Sequence, residues 1–157
     1  MIIRNAKVSD VKEINSIISD FAGLDRMLFR SMANIYENIQ TFTVAEHEGR
    51  VVGCVALSVM WADLAEVKSL AVSREMNGKG VGRELVGRAV QQAKELGINK
   101  VFALTLEPVF FEKVGFSRVD RKKLPMKVWS DCAECPKQDH CDEIAVMMDF
   151  EKNNGQA

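Results

Sequence analysis

The sequence has little of what interrupts, staples or strongly charges a chain. Proline occurs only three times in 157 residues, at positions 108, 125 and 136, and no linker-like stretch accompanies it. No internal repeat or low-complexity segment is present, which excludes a repeat architecture. Neither sign of charge prevails: 21 Lys plus Arg face 22 Asp plus Glu, for a net charge of -1. Without a basic excess, nothing drives binding to nucleic acid or to an anionic membrane surface. No apolar run approaches the roughly 20 residues of a membrane-spanning helix. Met1-Ile2-Ile3-Arg4 opens no signal-peptide core, so the expectation is a soluble, cytoplasmic protein. What is there is ordinary globular material, 47% hydrophobic and 27% charged. The length suits one domain that buries roughly two-thirds of its unfolded surface. That domain is expected to span 1–157, with an insertion over about 124–142 and a disordered tail over about 151–157.

Periodicity places the elements. Ile2 and Ile3 suggest a short first strand, and Ser9 suits the N-cap of a helix carrying Val11, Ile14, Ile17, Ile18 and Phe21. A second helix is expected over about 31–39, with Met32, Ile35, Tyr36 and Ile39 on one face. Period-two alternation then takes over through Phe42 and Val44. A Glu48-Gly49 turn follows, and Val51, Gly53, Val55, Leu57 and Val59 continue the pattern. A third strand follows over about 64–73. A long amphipathic helix runs from Val81 to Leu96 and Gly97 stops it. Beyond it come a strand from Lys100 to Leu106 and a short helix opened by Pro108 and closed by Gly115. Strands near 116–121 and 143–150 complete the chain. Three strands in succession after two helices suggest an antiparallel meander in an α+β protein.

Asn77-Gly78-Lys79-Gly80-Val81-Gly82-Arg83 joins the third strand to the long helix. A glycine turn feeding a helix N-terminus is a generic anion site, because bare amides and the helix dipole both favour negative charge. The spacing is neither Gly-x-Gly-x-x-Gly nor a P-loop, so the ligand stays open between those facts and a turn that only caps the helix.

Leu70-Ala71-Val72, then Gly80-x-Gly82, then the long helix resembles the acetyl-CoA site of the GNAT acetyltransferase family. Phe110-Phe111-Glu112-Lys113-Val114-Gly115-Phe116 resembles that family's late helix and Gly-Phe turn. The order of elements agrees, so the resemblance covers nearly the whole chain and implies the GNAT fold. It also implies acetyl-CoA as cosubstrate, held by Leu70 to Val72, Asn77 to Arg83 and Phe111. Asn77 stands where the family usually has Arg or Gln. Leu28-Phe29-Arg30-Ser31, Val52-Gly53-Cys54 and Leu124-Pro125-Met126-Lys127-Val128-Trp129 resemble the N-acetylglutamate synthases, in their short single-domain form. That narrower likeness implies acetyl transfer to L-glutamate, the first step of arginine biosynthesis. Another amine acceptor or a non-catalytic acetyl-CoA sensor remain as alternatives.

Acyl transfer to an amine needs a neutral amine, a stabilised carbonyl oxygen and a leaving thiolate. Glu66, Lys68 and Leu70 alternate along the third strand and should share a face. The resemblance makes Glu66 the general base and places an oxyanion-binding amide at Leu70 to Val72. Many members of the family place a Tyr as proton donor where Phe111 stands, and Tyr36, the only tyrosine, lies elsewhere. A thiol pKa near ~8.5 makes the thiolate a tolerable leaving group without that donor. For an acidic amino acid, Arg30, Lys68 and Lys127 are candidate carboxylate partners, and arginine is the natural bidentate one. Each also has a reading as a solvated charge. Cys132, Cys135 and Cys141 with His140 crowd one loop, and zinc, free thiols or a reversible disulfide are all open there. Cys54 in an apolar strand reads as a buried core residue. The family likeness also allows a homodimer paired through the C-terminal strand.

Overall fold

The computed structural model describes residues 1–23, 30–124 and 143–150. The strands are β1 (Ile2–Asn5), β2 (Phe42–His47), β3 (Arg50–Trp61), β4 (Leu64–Val72), β5 (Lys100–Thr105), β6 (Ser117–Arg118) and β7 (Ile144–Asp149). The helices are α1 (Val11–Gly23), α2 (Met32–Glu37), α3 (Val81–Glu95) and α4 (Pro108–Lys113). Among the described residues the sheet has 7 strands, in the order β1-β2-β3-β4-β5-β7-β6. Antiparallel pairing joins β1 to β2, β2 to β3, β5 to β7 and β6 to β7, and the β4 to β5 pairing is parallel. This is the mixed, mostly antiparallel α+β sheet expected of a GNAT fold.

Internal contacts divide the chain into two units. The first comprises Met1–Ser58 and Val67–Gln92. Its core gathers Val11, Ile14 and Ile18 from α1, Ile35 from α2, Phe42 and Val44 from β2, Cys54 from β3 and Ala71 from β4. Gln92 of α3 donates to Thr43 Oγ1 at 3.2 Å. The second unit comprises Val59–Glu66 and Ala93–Ala157, with a core of Met60, Leu64, Phe102, Leu124 and Ala145. In it Leu64, Ala65 and Glu66 run parallel to Lys100, Val101 and Phe102.

Several local expectations shift for identifiable reasons. Ser9 does not cap α1. A 3₁₀ turn over Val8–Asp10 leads into the helix, and Asp10 Oδ2 accepts from the Lys7 amide at 2.7 Å. Ser31 caps α2 by accepting from the Asn34 amide at 3.1 Å, but α2 ends at Glu37 rather than 39. There Asn38 Nδ2 bonds back to the Asn34 carbonyl, and Thr41 Oγ1 donates to the Asn38 carbonyl at 2.7 Å. Short polar side chains of this kind compete with the helix ladder. The Glu48-Gly49 turn forms as expected, with φ of 52° and 77°, the left-handed pair that a two-residue hairpin requires. β6 is only Ser117–Arg118, shorter than the expected strand over 116–121.

Candidate active site

The glycine turn is built from β4 outward. Ser73 N–H donates to the Val52 carbonyl at 2.8 Å, a 3₁₀ turn spans Arg74–Met76, and buried Met76 anchors it. Lys79 N–H closes onto the Met76 carbonyl at 3.3 Å. Gly78 and Gly80 have φ of 77° and 82°, and a Cβ at either would meet nothing within 4 Å. Glycine is required there by backbone conformation rather than by crowding. The first α-helical bond runs from Glu84 N–H to the Gly80 carbonyl at 3.1 Å. The amides of Val81, Gly82 and Arg83 therefore fall in the turn that a helix leaves without intrahelical acceptors. Asn77, Lys79 and Arg83 are exposed around it. This end of α3 lies close against β3. A Cβ on Gly53 would come within 3.0 Å of Leu85 Cδ1, 3.1 Å of Val81 Cγ1 and 3.3 Å of the Ala71 carbonyl oxygen.

β4 carries the candidate base. Glu66 is a buried carboxyl, only 8% exposed, on the strand that continues through half-buried Lys68. Ser69 has φ of 56°, a left-handed conformation uncommon for any residue other than glycine. That residue interrupts the regular pleat between Lys68 and Leu70. Leu70 and Val72 are half-buried and Ala71 is buried.

Around Ser69 the first unit assembles a cluster the sequence did not reveal. Arg30 Nη1 donates to Ser69 Oγ at 2.8 Å, and Arg30 Nε to Asn34 Oδ1 at 2.7 Å. The guanidinium carbon lies 4.9 Å from the centre of the Phe42 ring. Asn15 Nδ2 donates to the Arg30 carbonyl at 3.0 Å. Cys54 is fully buried, and its Sγ lies 3.4 Å from the Ser69 carbonyl oxygen. Burial pushes the Cys54 thiol up to about 12, against the opposing pull of the Arg30 charge and the Ala71 amide. The thiol thus stays protonated, a donor to Ser69 rather than a nucleophile.

The other candidates divide. Phe111 is 5% exposed and packs edge-on against Phe110 and Phe116, with ring centroids 5.2 Å apart in each case. It is a core residue of the second unit. Lys127, Cys132, Cys135, Cys141 and His140 lie outside the described residues. Among the described residues no group of three or more His, Cys, Asp or Glu could hold a metal ion. Among them also, no helix is long and apolar enough to cross a membrane. Asn15, Asn34, Gly53 and Ser69 were not singled out as site residues by sequence reasoning. Arg30-Ser31-x-x-Asn34, with Ser31 as a capping residue, is a local signal that could have pointed toward that cluster.

Comparison with known proteins gives the geometry its context. The profile of the Acetyltransferase (GNAT) family matches residues 11–116. An uncharacterized N-acetyltransferase of Chlorobaculum tepidum is 43% identical over 145 residues, covering 92% of this chain and 94% of that protein. An amino-acid acetyltransferase of Mycobacterium tuberculosis is 38% identical over 133 residues, 83% of this chain and 76% of that protein. The N-acetylglutamate synthase of Neisseria gonorrhoeae, solved with coenzyme A and N-acetyl-glutamate, matches with a TM-score of 0.87 at 26% identity. That match covers 95% of this chain and 35% of the synthase chain.

Proposed function

Because the chain belongs to the GNAT acetyltransferase family, we propose that it acetylates the α-amine of an amino acid, with L-glutamate as acceptor and N-acetyl-L-glutamate as product. Acetyl-CoA-dependent acetyl transfer of the GNAT type is the activity of the chain. The acceptor is the proposal, and with it a place at the first step of arginine biosynthesis. The observation that carries it is the fixed guanidinium of Arg30, held by Asn34 and Ser69. A cation presented in one orientation suits a carboxylate, and arginine binds it through two parallel hydrogen bonds. Lys68, half-buried next to Ser69 in β4, is the candidate second cation for the acceptor's side-chain carboxylate. The M. tuberculosis amino-acid acetyltransferase and the gonococcal synthase support the same reading.

The chemistry follows from the residues. The amides of Val81, Gly82 and Arg83 receive the pyrophosphate of acetyl-CoA. Arg30 takes the α-carboxylate of the acceptor, and Lys68 and Lys127 serve the side-chain carboxylate. Glu66 takes a proton from the acceptor ammonium, directly or through water. The neutral amine attacks the thioester carbon, an amide N–C bond forms, the C–S bond breaks, and the nitrogen releases its second proton to water. An amide in Leu70 to Val72 stabilises the carbonyl oxygen during the attack. The thiolate takes its proton from solvent, since a thiol pKa near ~8.5 makes a positioned acid unnecessary. Glu66→Gln tests the base. It should bind acetyl-CoA with unchanged affinity and lose about 100-fold or more in kcat. Unchanged turnover would remove Glu66 from the mechanism.

A further inference from the structure

We propose that Asn77-Gly78 is a self-modifying site, where loss of ammonia turns Asn77 into an acid and disables the glycine turn for acetyl-CoA, an inference that rests on the pyrophosphate reading of that turn. Asn77 and Gly78 are both exposed. Asn77 has φ of -60° and ψ of 141°, and Gly78 has φ of 77°. With Lys79 N–H on the Met76 carbonyl at 3.3 Å, those angles describe a type II turn whose corner is Asn77-Gly78.

The reaction needs only the chain and water. The Gly78 amide nitrogen attacks Asn77 Cγ and gives up its proton. The bond from Cγ to the carboxamide nitrogen breaks, and ammonia leaves. A five-membered succinimide then joins the Asn77 side chain to Gly78. Water adding at Cγ opens it to an ordinary aspartate at position 77. Water adding at the main-chain carbonyl carbon opens it to isoaspartate, which lengthens the backbone by one methylene. Nothing is oxidised or reduced.

Two features open the nitrogen to attack. Glycine brings no side chain to shield it, and even an added Cβ would meet nothing within 4 Å. The amides on either side are engaged, Asn77 N–H with the Arg74 carbonyl at 3.2 Å and Lys79 N–H with that of Met76. Among the described residues Gly78 N–H donates to no backbone carbonyl. The turn itself restrains the reaction. Ring closure brings Asn77 Cβ and the Gly78 nitrogen to the same side of the Cα–C bond, and a ψ of 141° holds them apart. The peptide must rotate, so the reaction passes through an opened turn, and a ligand that orders the turn suppresses it. Acetyl-CoA on the amides of Val81, Gly82 and Arg83 is that ligand. The modification thus accumulates in protein idle without cosubstrate. Its product puts a negative charge in the turn that receives a diphosphate, and like charges repel.

The test holds purified protein at pH 8 and 37 °C with acetyl-CoA, without it, and in urea. Mass spectrometry follows the tryptic peptide from Glu75 to Lys79 for conversion of amide to acid. Conversion should be fastest in urea and slower in native protein. With acetyl-CoA at about ten times its Kd it should be slower again by about tenfold, the factor by which the free form is depleted. Asn77→Asp should bind acetyl-CoA about tenfold more weakly in calorimetry, the scale of one charge repulsion near a surface. Aged wild-type protein should lose affinity in proportion to its converted fraction. Asn77→Gln, whose longer side chain closes this ring far less readily, should keep its own starting affinity through the same incubation. No conversion in native protein would overturn the site, and equal rates with and without acetyl-CoA would overturn its gating by cosubstrate. Wild-type affinity in Asn77→Asp would overturn the disabling effect. Fresh wild-type protein that binds no acetyl-CoA would overturn the pyrophosphate reading, and the inference with it.

Discussion

Gly53→Ala is the substitution whose consequence the geometry sets most closely. The added methyl would lie 3.0 Å from Leu85 Cδ1, 3.1 Å from Val81 Cγ1 and 3.3 Å from the Ala71 carbonyl oxygen. Carbon atoms pack comfortably at about 3.5 to 4.0 Å, so the two side chains must retreat by roughly 0.5 to 1 Å. They have little room. Leu85 is 0% exposed and Val81 1%, and Val81 is β-branched in a helix, with one favoured rotamer. The Ala71 oxygen belongs to the β4 backbone. Overpacking of this kind costs about 2 kcal/mol, or about 4 to 8 °C in Tm for a chain of this length. The strain falls on the first turn of α3, whose amides are the proposed pyrophosphate donors. KM for acetyl-CoA should therefore rise about fivefold, the equivalent of roughly 1 kcal/mol, while KM for the acceptor changes less. Thermal unfolding and initial rates at varied acetyl-CoA read both effects. Leu85→Ala removes the shortest contact, so the double variant should be less destabilised than the sum of the two singles. Strict additivity together with an unchanged acetyl-CoA KM would refute the coupling of Gly53 to the glycine turn.

Two further predictions concern titratable groups in the first unit. The Arg4 guanidinium, through its hydrogen bonds, holds the Asp10 carboxyl below the usual carboxylate range. A depressed folded pKa gives stability that is present above the unfolded value of about 3.9 and is lost as pH falls through the folded value. Asp10→Asn should thus cost about 2 kcal/mol at pH 7 and distinctly less near pH 3 in urea melts; an equal cost at both would contradict the pairing. For Cys54 the sign is reversed. Its thiol is raised to about 12 by burial, so its contribution is intact below the ordinary thiol range and is lost as pH rises toward the folded value. Iodoacetamide at pH 8 should leave Cys54 unlabelled in the native protein and label it in urea, read by peptide mapping. Rapid native labelling would show that the thiol is not sealed beneath Ser69.

The parts of the fold that announce themselves are those with a strong local period or an obligatory backbone residue. α3 was legible because apolar residues recur every three or four positions between Gly80 and Gly97, both at φ of 82°. The β2–β3 hairpin was legible from Glu48-Gly49. The site is less so, because its decisive features are tertiary. A serine at φ of 56° leaves no mark in a sequence, and so the break after Lys68 could not be read from alternation. Arg30 could be suspected from its motif, but its partners Asn15, Phe42 and Ser69 come from three other elements. Phe111 was legible as a motif position, but its edge-on packing against Phe110 and Phe116 was not.

The central claim is the acceptor, and product identification tests it most directly. Purified protein with acetyl-CoA is incubated with each of the twenty amino acids, ornithine and spermidine, and acetylated products are identified by mass spectrometry. This readout avoids thiol reagents, which the four cysteines would consume. The account predicts N-acetyl-L-glutamate well above every other product, and its loss in Glu66→Gln. Acetylated spermidine in place of any N-acetyl amino acid would contradict the carboxylate-binding role of Arg30.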